Sequence, residues 1–146
     1  MTIREFKISD YDGVYALWMR TPNMGLNSVD DSRDGIKKYI DRNPHTSFVA
    51  EQENEIIGVI LGGHDGRRGF LIHACVAAEH KRRGIGRKLA DAALEALKKE
   101  GITKVALVAF EKNEDGNNFW ERIGFTARPD LVYRNKSIID TARIDT

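Results

Sequence analysis

Hydrophobic positions along the chain change period several times, and each change marks an element. Residues 2–8 suit a short first strand. Ser9 then opens a helix. Ser9 and Asp12 stand at capping-box spacing, with Asp in place of the usual Glu, and Val14, Leu17 and Trp18 follow at helical intervals before Pro22. Residues 23–29 read as loop. A second helix is expected over 30–42, with Ile36, Tyr39 and Ile40 on one face and Asn43-Pro44 closing it. Three strand-like runs come next, 47–52, 55–62 and 70–77. Glu53-Asn54 links the first two, and the loop 64–69, with Asp65-Gly66 as its turn signal, links the last two. This predicts an antiparallel meander.

The period then returns to that of a helix. Ile85, Leu89, Ala93 and Leu97 form one stripe over 85–99, while Lys88, Asp91, Glu95 and Lys98 point elsewhere, and Gly101 is placed as the C-terminal cap. Residues 105–110 read as a buried strand, 113–123 as a short helix ended by Gly124, and 126–134 as a last strand that Pro129 interrupts or confines to an edge. From Asn135 to the end the tail is polar and expected to be loosely held. The order β-α-α-β-β-β-α-β-α-β describes a mixed α+β fold, and 146 residues without a linker or repeat fit a single domain over 1–146.

Composition narrows the function. Hydrophobic residues at 41% supply a real core and exclude intrinsic disorder. The longest apolar run, 105–110, is six residues, whereas a membrane-spanning helix needs about 20, so no membrane span is expected. Twenty-three basic against 22 acidic residues leave a formal charge of +1, which argues against a nucleic-acid coat and a polybasic membrane anchor. Any anion site must therefore be local. The single cysteine, Cys75, rules out an internal disulfide and a cysteine-based zinc site, and no metal is expected. The N-terminal residues lack the apolar core of a signal peptide, so a cytoplasmic location is expected.

One local cluster stands out. A strand ends at Val76-Ala77, a basic turn follows at Lys81-Arg82-Arg83-Gly84, and a long helix starts at Ile85-Gly86-Arg87-Lys88. The first N–H groups of a helix have no internal partner and lie at the positive end of its dipole. Gly84 and Gly86 let backbone approach a ligand, and Lys81, Arg82, Arg83, Arg87 and Lys88 surround those amides. The combination suits a phosphate or pyrophosphate. The dinucleotide fingerprint fails, because Leu89 stands at the third glycine position, and the Walker pattern has no match.

Lys81-Arg82-Arg83-Gly84-Ile85-Gly86 resembles the [Q/R]-x-x-G-x-[G/A] loop of GNAT-superfamily N-acetyltransferases, with Lys81 in place of Gln or Arg. The segment from Asn113 to Phe125, which contains Phe119-Trp120-Glu121-Arg122-Ile123-Gly124-Phe125, resembles the family's N-x-x-A-x-x-[LF]-Y-E-[KR]-[LI]-G-F. The resemblance covers nearly the whole chain. It implies a mostly antiparallel central sheet flanked by about four helices, with two strands, here 70–77 and 103–110, splayed around acyl-CoA. It further implies acetyl-CoA as co-substrate and direct acyl transfer to an amine. By position, Ala74 and Val76 would offer backbone groups to pantetheine and acyl. Lys81, Arg82, Arg83, Gly84, Ile85, Gly86, Arg87 and Lys88 would hold the pyrophosphate, and Asn113 and Phe119 would line the pantetheine or adenine side.

The departures concern the chemistry. The family's acid is often a tyrosine where this chain has Trp120, and an indole is no practical proton source, which leaves Trp120 a packing role against pantetheine. Tyr133, water, or unaided departure of the thiolate remain for the sulfur. No glutamate stands on 70–76. His73 is the titratable imidazole there and the candidate base, although alternation puts it opposite Ala74 and Val76. Cys75 shares the parity of His73 and reads as a small core residue, Glu79 as a counter-charge to the basic turn, and Trp18 as core. Residues 21–31, with Met24 and Leu26, are the candidate acceptor wall, as in the family. The expected partner is a small-molecule or protein amine, with no nucleic acid and no membrane, and a homodimer is left open. A catalytically silent acyl-CoA-binding or regulatory module is the alternative from another class.

Overall fold

The computed structural model describes residues 1–144. Strand β1 (Thr2–Glu5) is followed by a 3-10 turn (Ile8–Asp10) and helix α1 (Tyr11–Met19). The capping pair is not Ser9 with Asp12. Lys7 N–H donates to Asp10 Oδ2 at 2.8 Å, and the same carboxylate receives the Arg4 guanidinium at 2.8 and 2.9 Å. Asp10 wins this position because it satisfies the turn and ties it to β1 at once. Burial raises its carboxyl pKa, but the bonds from Arg4 and Lys7 outweigh that and hold it below the usual carboxylate range.

The stretch read as loop contains a short strand, β2 (Leu26–Asn27). Helix α2 (Arg33–Arg42) starts later than the pattern suggests, because Ser32 Oγ caps it by accepting from Gly35 N–H at 3.0 Å. The meander is present as β3 (Phe48–Gln52), β4 (Glu55–His64) and β5 (Gly69–Val76), all antiparallel. Helix α3 (Ile85–Lys99) has the expected bounds, and its stripe Ile85, Leu89, Ala93 and Leu97 is buried. Each Leu or Ile so buried is worth about 1.5–3 kcal/mol, which fixes the helix to the sheet. Strand β6 (Val105–Ala106) and helix α4 (Glu114–Arg122) follow. The main sheet has the order β1-β3-β4-β5-β6. Both α1 and α3 pack on β4, whose run from Ile56 to Gly63 is buried on both parities, the mark of a strand covered on both faces.

Two irregularities of the sheet open its β5 edge. Strand β6 runs parallel to β5 only at Gly69↔Val105 and Phe70↔Ala106, and the strands then diverge. Between Val59↔Cys75 and Leu61↔Ile72 the β4–β5 register slips, so that Ile60 faces both His73 and Ala74, a bulge at which His73 takes φ +51°.

The C-terminal expectations need correction. Residues 126–134 form no strand: Pro129 has no N–H, the Arg128 side chain closes on Asp130 at 2.8 and 2.9 Å, and Leu131 N–H returns to the Arg128 carbonyl. The run 105–110 pairs over two residues rather than six. The tail from Asn135 is not simply polar and loose. Ile138 and Ile139 are exposed, and β7 (Arg143–Ile144) pairs antiparallel with β2. The last two residues of that expected tail, 145–146, lie outside the described residues. Among the described residues no helix is long and apolar enough to cross a membrane.

Candidate active site

The basic turn after β5 is built to present backbone donors. A 3-10 turn (Ala78–His80) leads into it, and the chain then takes positive φ at Arg82 (+65°) and at Gly84 (+77°), which is the N-cap of α3. The first backbone acceptor inside the helix is Gly84 O, which receives Lys88 N–H at 3.1 Å. Among the described residues, none of the N–H groups from Arg82 to Arg87 donates to a protein acceptor. These donors stand at a helix N-terminus among exposed cations, the arrangement that binds an anion. The Glu79 carboxylate contacts Arg20, at 3.8 Å, outside the basic turn's own sequence. The cations make only loose contacts of their own, Arg87 at 3.8 Å from Asp91 and Arg83 at 3.3 Å from His80 Nδ1.

Beyond the two residue pairs with β6, the β5 edge is open, and a cleft of about 910 Å³ lies beside this turn, between that edge and α4. Ala77 N–H donates to Ile57 O at 2.8 Å, and Cys75 lies opposite Val59. The alternation of an antiparallel ladder therefore turns the backbone groups of Ala74 and Val76 away from β4, toward the open edge. Ala74 and Val76 both line the cleft, as do Lys81, Arg82, Gly84, Ile85, Gly86 and Arg87 from the turn and helix. Arg83 and Lys88 do not; they lie outside it as exposed charges.

Helix α4 supplies the opposite wall through Asn113, Phe119 and Trp120. The Asn113 side chain is spent on the helix itself, Oδ1 accepting Gly116 N–H at 3.0 Å. The Phe119 ring would lie 3.3 Å from any Cβ at position 86, so Gly86 is what lets α3 and α4 close together. Trp120 packs edge-on between Phe119, at 4.9 Å, and Phe125, at 5.2 Å. Asp115, Asn118 and Arg122 also line the cleft, and sequence reasoning missed them; their spacing on one helix face with Phe119 is the signal that could have found them. Val59 and Ile60 reach it at the bulge, which no local pattern announces.

The candidate acid and base lie elsewhere. Tyr133 is exposed on the segment after α4, and no tyrosine lines the cleft of this chain. His73, also outside the lining, sits under α1. Its ring meets Trp18 edge-on at 5.2 Å, its carbonyl accepts the Trp18 indole N–H at 3.2 Å, and Nε2 lies 2.7 Å from Asp31 Oδ1. A carboxylate accepts, so Nε2 donates in this contact, and in the neutral tautomer Nδ1 is the nitrogen that keeps a lone pair. Among the described residues Nδ1 has no hydrogen-bond partner. Asp31, the partner that holds this tautomer, has no signal in the sequence that marks it for the role. Cys75 lines the cleft as well, and burial pushes its thiol up to about 12, which keeps it neutral and unsuited to nucleophilic attack.

Comparison with known proteins places this arrangement. An acetyltransferase of Photorhabdus laumondii subsp. laumondii is 30% identical over 142 residues, covering 96% of this chain and 98% of its own. One from Pectobacterium atrosepticum is 29% identical over 140 residues, covering 96% and 97%. Among solved structures, Ard1 from Thermoplasma volcanium superposes with a TM-score of 0.76 at 22% identity over 86% of this chain and 82% of its own. The PaiA N-acetyltransferase from Thermoplasma acidophilum, in complex with coenzyme A, does so with 0.74 at 19% identity over 87% and 90%. The Acetyltransferase (GNAT) family matches residues 11–125. That span contains the meander, the basic turn, α3 and α4, which together build the cleft, and the chain belongs to the acetyltransferase (GNAT) family.

Proposed function

We propose that the protein transfers the acetyl group of acetyl-CoA directly to a primary amine. The observation that carries this reading is the run of backbone N–H groups from Arg82 to Arg87 without an acceptor among the described residues, next to a strand edge with its own free backbone groups. Pyrophosphate is held by the amides at the start of α3, and pantetheine lies along Ala74 and Val76 against Phe119 and Trp120. The thioester then points to the bulge at His73 and Ala74.

The amine nitrogen attacks the carbonyl carbon, a C–N bond forms, the C–S bond breaks, and the amine gives up a proton. With Nε2 donating to Asp31, the neutral tautomer of His73 leaves Nδ1 as an acceptor, and His73 precedes Ala74 of the cleft lining in the chain, so His73 is the proposed base, and residues 21–31, which carry Asp31, form the acceptor side. The thiolate takes its proton from water, because Tyr133 stands exposed on the segment after α4, its hydroxyl accepting from Asn135, and Trp120 only packs.

Release of CoA thiol with a panel of amines tests the reading. Turnover with at least one amine class is expected, while CoA binding without turnover across the panel points to a silent binding module instead. His73→Gln separates the base from a structural histidine. It should lower kcat by about 10²-fold or more, leave KM for acetyl-CoA near wild type, and abolish the acid limb of the pH–rate profile. A lowered Tm with an unchanged pH profile would assign His73 to the fold alone.

A further inference from the structure

A second cavity, of about 550 Å³, lies at the other end of β5 from the acyl-CoA cleft, and among the described residues the two share no lining residue. The end of α2, the β4–β5 hairpin and the start of β6 form its walls, through Tyr39, Gly63, Phe70, Ile72 and Ala106 among others. The acetyl-transfer reading makes no use of it. Its volume is that of a small-molecule site, and its lining is mainly apolar with a few polar groups.

Two donors converge on this cavity without being used up. A Cβ at Gly63 would stand 2.6 Å from the Tyr39 hydroxyl and 2.7 Å from Asn43 Nδ2, so the missing side chain is what makes room for both groups. Among the described residues the Tyr39 hydroxyl has no hydrogen-bond partner. Burial pushes its pKa well above the ordinary tyrosine value, so it stays protonated and offers an O–H. Asn43 is buried. Its Oδ1 accepts His64 N–H at 3.0 Å, while its Nδ2 reaches only the Tyr39 carbonyl at 3.4 Å, which leaves one amide hydrogen to spare. The mouth is positive. Arg42, Arg68 and Lys104 stand around it, and among the described residues neither the Arg42 guanidinium nor the Lys104 ammonium has an ion pair or hydrogen bond. Arg68 is held by Thr103, Nη1 donating to Oγ1 at 3.0 Å. Two groups oppose these cations. Asp65 Oδ1 accepts Arg67 and Arg68 N–H at 2.8 and 2.9 Å, which ties that carboxylate to its own loop, and the carbonyl end of α2 carries roughly half a negative charge. Three full cations outweigh both.

We infer that this cavity binds a small carboxylic acid with an apolar body, its carboxylate between the Tyr39 hydroxyl and Arg42 and its body against Phe70, Ile72 and Ala106. Tyr39 and Arg42 are three residues apart on α2 and therefore neighbours on one face. A hydroxyl and a guanidinium match the two oxygens of a carboxylate, and bonds to a charged acceptor are the strong ones. An apolar amine would set its charge among like charges. A polyphosphate would find none of the free backbone N–H groups that stand at the start of α3. The inference rests on the cavity's own residues and stands or falls independently of acetyl transfer.

Amide NMR of the full chain titrated with phenylbutyrate tests this, with phenylbutanamide and phenylbutylamine as uncharged and cationic probes of the same shape. Phenylbutyrate should shift the amides of Gly63, Gly69 and Phe70 saturably, with a Kd of about 1 mM or below. The amide should bind about tenfold more weakly, and the amine should not saturate. Arg42→Gln should weaken phenylbutyrate about tenfold and leave phenylbutanamide unchanged, while Tyr39→Phe should weaken both, each with Tm near that of the wild type. Equal affinity of the wild type for all three probes would overturn the inference. So would the absence of saturable shifts at those amides, shifts confined to the start of α3, or a phenylbutyrate affinity that neither substitution changes.

Discussion

Gly84 and Gly86 are glycines for different reasons, and the difference can be measured. Gly84 has open space around its Cα but sits at φ +77°, where an L side chain costs roughly 1–2 kcal/mol. Gly86 has ordinary backbone but faces the Phe119 ring, which a Cβ would meet at 3.3 Å. Gly84→Ala should therefore weaken CoA binding about tenfold by turning the amides of 82–87, since about 1.4 kcal/mol is one decade in Kd. Gly86→Val should weaken it at least as much by moving Phe119 off the pantetheine wall. Arg83→Ala should cost less than about threefold at physiological salt, because Arg83 lies outside the cleft lining and is exposed and screened. Calorimetry with CoA checks the ranking. Wild-type affinity in both glycine variants, or a larger loss from Arg83→Ala, would contradict it. The paired glycines are visible in sequence because a ligand-binding helix start needs them close together. The contact of His73 with Asp31 is not, since 42 residues separate them and a bulge, invisible to strict alternation, decides which way His73 turns.

At the scale of elements, legibility followed the strength of local signals. Helix α3 carries a complete apolar stripe and a glycine at each end, and its bounds are those the pattern predicts. The meander is equally plain, because its turns are short and marked. The run 105–110 and the segment 126–134 have strand composition, but composition does not say which edge a strand joins, and neither finds a full partner among the described residues. Helix α4 gives the clearest test of an element's part in the site. Its Trp120 packs between Phe119 and Phe125, so its contribution is apolar surface, worth about 25 cal/mol per Å² buried. Trp120→Phe should keep most of kcat, and Trp120→Ala should mainly raise KM for acetyl-CoA. Steady-state kinetics with acetyl-CoA varied would show this. A Trp120→Phe enzyme that binds acetyl-CoA normally yet turns over a hundredfold slower would mean that the indole N–H takes part in the chemistry.

For the whole molecule, a formal charge of +1 provides no general field to gather an anion, so affinity for a nucleotide must come from one place. The fold makes that place by letting β6 part from β5 after two residue pairs and by starting α3 with donors that the protein itself leaves unused. The direct test is a backbone amide NMR titration of the full chain with CoA. The account predicts that the amides of Arg82 to Arg87 show the largest shifts and the greatest gain in protection from solvent exchange, with Ala74 and Val76 following. Saturable CoA binding that leaves those six amides unmoved, with the shifts concentrated elsewhere, would contradict it.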